Sequence, residues 1–99
     1  MAVQASFDPA YGSGVTVTAT STSASSVVGA GSKVLLLTNL GAEAVYVRAG
    51  IPGITATLAD YPVPAGMQVT ISKFQDFSTI AYRTATNPAV LHIMAGEGY

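Results

Sequence analysis

Hydrophobic and polar residues alternate along several short segments of this chain. In residues 15–20, which read VTVTAT, the apolar side chains fall on one face of an extended strand and the threonines on the other. Residues 67–73, MQVTISK, have the same period of two. Because successive side chains of a strand point to opposite faces, this pattern predicts half-buried antiparallel strands with hydroxyl-rich outer faces.

Five further segments extend the pattern. The continuous apolar run in KVLLLTNLG, residues 33–41, predicts a strand buried on both faces, and AEAVYVRAG, residues 42–50, predicts one with Val45 and Val47 on the same face. The Asn and Gly between them predict that these two strands pair as a hairpin. The remaining strands are predicted at residues 54–58, 77–85 and 89–96. No segment combines a sustained helical period with capping residues.

Two prolines bracket a single valine in ADYPVPAG, residues 59–66. Proline cannot donate to a strand ladder and holds the residue before it extended. We therefore expect a stiff, polyproline-like crossover between the strands on either side, with Gly66 supplying the dihedral freedom for re-entry. The alternative is a loop that presents Tyr61 to a partner.

About seven short strands with little or no helix predict an all-β fold, a compact antiparallel β-sandwich or barrel, and a jelly roll is the preferred version. We assign residues 1–14 to an N-terminal arm and residues 15–99 to a single β-sandwich domain. The arm carries Phe7 and Tyr11 as isolated aromatic anchors. It either folds back on its own domain or reaches a neighbour. The serine-rich residues 21–26 are expected to form a loop.

The chain carries little charge. Charged residues make up 9% of it, against about 25% in typical globular domains, and the formal net charge is −1. Such a surface gives no field to attract nucleic acid, and so little charge indicates that part of it is covered. The absence of cysteine excludes disulfides and thiolate chemistry. No apolar run approaches the roughly 20 residues that span a bilayer, and without a signal-like N-terminus we expect a cytoplasmic product.

Candidate chemistry is sparse. His92 is the single histidine, and an imidazole becomes a catalyst when a carboxylate or nucleophile converges on it, which no spacing here indicates. The five carboxylates are scattered, so neither a calcium loop nor an acid pair is predicted. We therefore expect no enzyme, no cofactor and no metal. The last strand is apolar on both faces, and the face with Val90, His92 and Met94 needs a cover, either another sheet or a neighbouring subunit.

Three tyrosines lie in or next to predicted strands: Tyr46, Tyr61 and Tyr82. With an apolar ring and a polar end, tyrosine suits protein interfaces, and aromatic rings also serve as platforms for sugars. Both uses stay open at this point.

From residue 34 onward the order of these segments resembles a group of small phage-encoded virion proteins. VLLLTNLGAEAVYVRAG resembles their strand-turn-strand opening, ATLADYPVPAGMQVTISK their proline crossover, STIAYRT a following strand, and AVLHIMAGEGY their Gly-Glu-Gly ending. The resemblance covers about two-thirds of the chain and does not include the residues before Val34. It consists of fold-like patterns and contains no active-site signature.

The resemblance implies a virion structural protein of the capsid decoration, or cement, type. Such a protein binds the major capsid protein on the capsid surface, commonly as a homotrimer, after synthesis in the host cytoplasm, with no nucleic-acid or membrane partner. The oligomer-interface candidates are then Tyr46, Tyr82, Val90, His92 and Met94, and the capsid-contact candidates are Phe7, Tyr11 and Tyr61. The alternatives are a phage tail or head-tail connector component, or a glycan-binding β-sandwich module.

Overall fold

The computed structural model describes residues 8–9, 12, 14–28, 33–73 and 76–97. Within these residues the chain forms nine β-strands and no helix, and the strands make two antiparallel sheets. The strands are β1 (Asp8–Pro9), β2 (Val15–Ala19), β3 (Ala24–Val27), β4 (Val34–Asn39), β5 (Val45–Gly50), β6 (Tyr61–Val63), β7 (Gln68–Ser72), β8 (Thr79–Thr84) and β9 (Ala89–Glu97). The all-β prediction is confirmed, with two strands more than the expected seven.

The strand order is that of a jelly roll. In the five-stranded sheet, β9 pairs with β4, β4 pairs with β7, and both β1 and β2 pair with β9. The four-stranded sheet has the order β3-β8-β5-β6. From β2 onward, consecutive strands lie in different sheets, except that β5 and β6 pair with each other. Two sheets exchanging strands in this way match the double-sheet jelly roll predicted from the sequence.

The core lies between the two sheets, and the period-two patterns place it there. Leu35 and Leu37 of β4 face Val45 and Val47 of β5 across the sandwich, and all four side chains are buried. On β2 the alternation holds as expected, because Thr16 and Thr18 are exposed while Ala19 is buried. Burial of alternate side chains on both inner faces is what holds two such sheets together.

The predicted hairpin between residues 33–41 and 42–50 is wrong. Strand β4 pairs with β7 and β9, whereas β5 pairs with β6 and β8 in the other sheet. The backbone amide of Leu40 still donates to the carbonyl of Val90, so the chain stays beside β9 until it bends away at Gly41. A Cβ built on Gly41 would lie 2.8 Å from the Cβ of Ala89, so only glycine fits this corner without a shift. The turn therefore carries the chain from β4 in one sheet to β5 in the other and does not join two neighbouring strands of the same sheet.

The corner is held by one buried asparagine. Asn39, only 1% exposed, donates from Nδ2 to the carbonyl oxygens of Glu43, at 2.6 Å, and of Val63, at 3.0 Å. Its Oδ1 accepts a hydrogen bond from the amide of Gly41 at 2.9 Å. One side chain thus ties the end of β4 to the turn and to β6 in the opposite sheet.

The proline segment also differs from the prediction. Residues 61–63 form the edge strand β6, paired with β5 on one side, and Pro62 stands opposite Tyr46. An edge strand tolerates proline because one side of its ladder faces away from the sheet. The predicted role of Gly66 is confirmed, since its φ of 70° allows the turn in which the amide of Met67 donates to the carbonyl of Pro64.

The strand predicted at residues 54–58 is absent, and residues 51–60 instead form a strap over the outer face of the four-stranded sheet. A Cβ built on Gly50 would lie 3.0 Å from Ile54, which shows how closely the strap approaches β5. The backbone amide of Ala56 donates to Ser23 Oγ at 2.8 Å, so the strap reaches the start of β3.

The loop predicted at residues 21–26 is partly wrong, because Ala24–Val27 forms strand β3 and pairs with β8.

Candidate functional site: the outer face of the five-stranded sheet

A polar row crosses the outer face of the five-stranded sheet. The register places Thr16 of β2, His92 of β9, Thr38 of β4 and Gln68 of β7 directly beside one another. Thr16 Oγ1 and His92 Nδ1 lie 3.0 Å apart, and Gln68 Nε2 donates to Thr38 Oγ1 at 3.0 Å. The four side chains form two hydrogen-bonded pairs, which orient them in the plane of the face.

Apolar side chains flank this row. Met94 stands opposite Leu36 in the neighbouring strand, and both are half-buried. On the other side of the row, Val90 is 36% exposed. The outer sheet face, as we name it, comprises Thr16, Thr18, Leu36, Thr38, Gln68, Thr70, Val90, His92 and Met94. It carries no Asp, Glu, Lys or Arg among these residues, and the imidazole of His92 is its one titratable side chain, so a second surface can cover it without desolvating a carboxylate, an ammonium or a guanidinium group.

His92 is packed against the face and does not project from it. The ring is half-buried, and a Cβ built on Gly14 would lie 3.0 Å from the ring atoms Cε1 and Nε2. The hydroxyl of Thr16 occupies Nδ1. A nucleophile-base pair also needs a third group to orient the imidazole, and among the described residues no carboxylate lies within hydrogen-bond distance of this ring. The arrangement suits a structural or interface histidine.

Metal-ligating side chains do not gather elsewhere in the described part of the chain. Groups of three or more His, Cys, Asp or Glu side chains able to hold a metal ion are absent there. Asp60 is instead bonded to Arg48, and Glu43 Oε1 accepts a hydrogen bond from Asn87 Nδ2 at 3.3 Å. These two carboxylates hold loop segments in place, which agrees with the scattered positions of the acidic residues in the sequence.

The five oligomer-interface candidates do not share one surface. Val90, His92 and Met94 lie together on the outer sheet face. Tyr46 is half-buried on the outer face of the opposite sheet, where it stands beside Pro62. Tyr82 points into the core, is 5% exposed, and its hydroxyl lies 2.8 Å from Ser26 Oγ. Because its ring is buried within the chain, Tyr82 offers no side-chain surface to a second subunit.

The capsid-contact candidates are only partly visible. Phe7 and Tyr11 lie outside the described residues. Within the predicted arm, Asp8–Pro9 pairs with Glu97 and Gly96 of β9, so this part of the arm lies against its own domain. Tyr61 is exposed on the edge strand β6, on the side of the molecule where the edges of the two sheets meet.

A charged contact holds the end of the strap next to Tyr61. Asp60 Oδ1 accepts from Arg48 Nε at 2.9 Å and from Nη2 at 2.8 Å, and Oδ2 accepts from the Thr57 amide at 2.7 Å. Desolvation by itself would raise the pKa of Asp60. The Thr57 amide and the Arg48 guanidinium outweigh it, so the pKa lies below its ordinary value. The ionised carboxylate thus fixes the strap to β5.

Sequence reasoning identified β9 as the strand of interest but missed its neighbours on the outer sheet face. Alternation already placed Gln68 and Thr70 on a polar face of β7. Nothing local indicated that Leu36 and Thr38 lie between them and β9, because strand neighbours are decided by non-local pairing. The available signal was the mixture of apolar and hydroxyl side chains in β4, but its continuous apolar run predicted a strand buried on both faces.

In the described part of the chain, no helix has the length and apolarity needed to cross a membrane.

No protein-family model and no curated protein matches this chain in sequence. Solved structures do match its fold. The cupin_2 domain of an XRE family transcriptional regulator from Enterobacter cloacae aligns over 92% of this chain and 94% of that domain, with a TM-score of 0.50 and 12% identity. This similarity agrees with a jelly-roll-like sandwich, since cupins are double-sheet jelly rolls.

Hydroxypropylphosphonic acid epoxidase from S. wedmorenis, solved in complex with fosfomycin, aligns over 83% of this chain, with a TM-score of 0.50 and 13% identity. This chain spans 42% of the length of that epoxidase chain. At such identities the similarity shows the fold alone, because one fold supports many unrelated activities.

Proposed function

We propose that this protein is a structural component of a bacteriophage virion, and more specifically a head decoration protein that binds and stabilises the assembled capsid. It acts by binding and carries out no catalysis. The proposal starts from the resemblance of residues 34–99 to small virion proteins. The observation that carries it in the structure is the outer sheet face, which contains no Asp, Glu, Lys or Arg among the side chains named above and is one outer face of a jelly roll.

The outer sheet face suits a repeated protein contact. Side chains in register across four strands form a regular surface, and the hydrogen bonds of Thr16 with His92 and of Gln68 with Thr38 already restrict these side chains before a partner binds. Val90 and Met94 supply apolar area on either side of the polar row, and the hydroxyl and amide groups of the row can pair with polar groups of a partner. Many such contacts repeated by capsid symmetry bind firmly through avidity even when each is weak.

In this proposal the outer sheet face joins three copies of the chain. A standard interface removes about 800 Å² from each partner, which is about one seventh of the 5521 Å² accessible surface of this chain. The capsid would then be contacted by another surface, for which Tyr61 and the N-terminal arm remain the candidates. A mass of three times the 10.0 kDa chain in light scattering would support this arrangement.

The decisive experiment uses the virion of the phage whose genome encodes the chain. Heads and tails are separated, and each fraction is examined by quantitative mass spectrometry for this protein. We expect it in the heads, in a fixed ratio to the major capsid protein. Its presence in tails alone would replace the decoration role with the tail or connector alternative, and its absence from both fractions would overturn the proposal.

A matched pair of variants then tests the outer sheet face. Val90→Asp places a charge on this face, and Val27→Asp makes the same change on β3 of the opposite sheet, where Val27 is 75% exposed. We expect Val90→Asp to weaken trimer formation by about tenfold or more, because a desolvated charge costs several kcal/mol unless it is paired. Val27→Asp should leave the mass unchanged. Equal behaviour of the two variants would remove the outer sheet face from the proposal.

A further inference from the structure

Strand β7 forms one edge of the five-stranded sheet. It pairs with β4 on one side, and no described strand pairs with its other side. At its two ends the amide of Asn39 donates to the carbonyl of Met67, and the amide of Lys73 donates to the carbonyl of Lys33. Because bonded and non-bonded pairs alternate along an antiparallel ladder, every second residue of β7 directs its backbone groups away from β4. These outward residues are Gln68, Thr70 and Ser72.

This edge lacks the features that usually prevent further pairing. Natural edge strands are protected by charged side chains, prolines or bulges. The edge strand β6 of the other sheet has Pro62, whereas β7 reads QVTIS, without a proline or a charged residue. Its register with β4 runs without a bulge from residue 68 to residue 72. A straight, uncharged edge with free backbone groups can accept another strand.

Apolar surface also stays uncovered along this edge. Val69 and Ile71 point toward the core but are only half-buried, and Met67, which alternation places on the same face, is 52% exposed. Beside Ile71 lies a groove of about 520 Å³, whose lining includes Val47 and Ala49 of β5. A strand added to β7 would cover these side chains and gain the free energy of removing them from water.

We infer that the β7 edge pairs with the β7 edge of a second copy of this chain, antiparallel and around a two-fold axis at Thr70. In this register Gln68 stands opposite Ser72 of the second copy, and Thr70 stands opposite Thr70. The three outward residues of each copy then pair all their free amides and carbonyls with those of the other copy. The two five-stranded sheets become one continuous sheet.

A second copy fits this edge because the strand is complementary to itself. The outward residues are placed symmetrically about Thr70, so an isologous contact leaves none of them unpaired. On the inner side Val69 stands opposite Ile71 of the second copy, which places an apolar side chain beside the groove. Lys73 stands opposite Met67 of the second copy, so no like charges meet, and a net charge of −1 gives little repulsion between copies.

The inference goes beyond the proposed function and does not rest on it. The proposed trimer uses the side chains of the outer sheet face, whereas this contact uses the backbone edge of β7.

Cross-linking tests the register, since the chain has no cysteine of its own. Single cysteines are introduced into the full-length Val90→Asp variant, in which the outer sheet face is altered, and a short bismaleimide joins neighbouring copies. We expect Thr70→Cys to form cross-linked dimers at least about tenfold faster than Thr86→Cys, the same change on an exposed turn. Equal rates for these two variants would overturn the inference.

Mixed cross-links test the antiparallel pairing. Gln68→Cys mixed with Ser72→Cys should give mixed dimers faster than either variant gives dimers alone, because Gln68 lies about 14 Å from Gln68 of the second copy. Faster cross-linking of Gln68→Cys with itself would contradict the two-fold register.

A proline tests the backbone contact. Thr70→Pro removes an amide that points away from β4, so it breaks the pairing between copies and no bond to β4. We expect the dissociation constant of the pair, from light scattering at several concentrations, to rise at least about tenfold, whereas Thr70→Val keeps the amide and should change it less than about threefold. Circular dichroism of each variant verifies folding.

A charge provides a second test that leaves the backbone unchanged. Thr70→Lys places two ammonium groups opposite each other on the two-fold axis, and like charges in that position weaken strand pairing. Thr86→Lys is the control with the same change in charge, on an exposed turn. Association that is the same in Thr70→Lys and Thr86→Lys would overturn the inference, also in the case that Thr70→Pro does not fold.

The two contacts between copies can be told apart. Val90→Asp should leave a mass of twice the 10.0 kDa chain, because the edge pair remains when the outer sheet face is altered. If Val90→Asp has no effect on the mass while Thr70→Cys cross-links as expected, the proposed trimer fails and the edge pair stands. A Val90→Asp protein that stays monomeric at every concentration would overturn the edge pair, whatever the place of the protein in a virion.

Discussion

Replacing Asn39 with alanine should destabilise this protein more than any exposed asparagine can. The substitution removes both bonds donated by Nδ2, to Glu43 and Val63, and the bond that Oδ1 accepts from Gly41. The side chain is 1% exposed, so water cannot readily take its place. The corner that carries the chain from one sheet to the other then loses its main tie.

The size of the effect follows from these three bonds. A hydrogen bond contributes about 0.5–1.5 kcal/mol net, and a buried group left unpaired costs about 1–3 kcal/mol. The bond to Val63 is buried, whereas those to Glu43 and Gly41 are partly accessible. We therefore expect Asn39→Ala to lower the free energy of unfolding by about 3 kcal/mol, which for a domain of this size lowers the Tm by about 12–24 °C.

Asn39→Asp provides a sharper version of the same test. It keeps the acceptor for Gly41 but replaces both donors with a carboxylate beside two carbonyl oxygens, so we expect it to be at least as damaging as alanine. Asn87→Ala is the matched control, because Asn87 is exposed and makes one long bond to Glu43 at 3.3 Å. Its effect should stay within about 0.5 kcal/mol.

The assay is urea unfolding followed by circular dichroism, at one fixed protein concentration so that any association affects all variants alike. A loss below about 1 kcal/mol in Asn39→Ala, or an equal loss in Asn87→Ala, would refute the reasoning. It would mean that the corner is held by packing and that the Asn39 bonds contribute little.

Two further predictions concern stability. Thr84 Oγ1 is buried without a hydrogen-bond partner among the described residues, so Thr84→Val should raise the free energy of unfolding by about 1 kcal/mol. Thr18→Val, at an exposed position, is the control and should not raise it. A lower free energy of unfolding for Thr84→Val in urea would contradict this prediction. Because the folded-state pKa of Asp60 is lowered, its contribution is present above the unfolded pKa of about 3.9 and is lost as the pH falls through the folded pKa. The wild type should therefore exceed Asp60→Asn by about 0.5–1 kcal/mol at pH 7 in urea unfolding, and the gap should close in acid; a gap independent of pH would refute the assignment.

The sequence predicted correctly those features that depend on the residues of a single strand or turn. The alternation of β2 and β7, the shared face of Val45 and Val47, and the backbone freedom needed at Gly66 all follow from residues within a few positions of one another. The same reasoning failed for the hairpin at residues 33–50. Asn and Gly indicate that a chain turns, but the turn has the same composition whether the next strand pairs with the previous one or crosses to the other sheet.

The prediction for the proline segment, residues 59–66, was wrong for a related reason. Proline is excluded from the interior of a sheet but accepted at its edge, and whether a strand is at an edge depends on every other strand. Residues 54–58 have a strand-like composition, yet the edge of the sheet is taken by β6, and the strap covers the outer face instead. For the candidate site, the sequence found Val90, His92 and Met94 but could not find Thr38 or Gln68 beside them.

The sequence by itself determined that this is a low-charge, cysteine-free, all-β chain with an apolar and a hydroxyl-rich face on the strands within residues 15–20 and 67–73, because composition and period-two alternation are local properties. Only the tertiary structure decided the order of strands in each sheet, the row of side chains beside His92, the burial of Tyr82 and the corner held by Asn39. Each of these depends on which distant strands pair, and pairing is selected by the packing of the whole sandwich and not by any one segment.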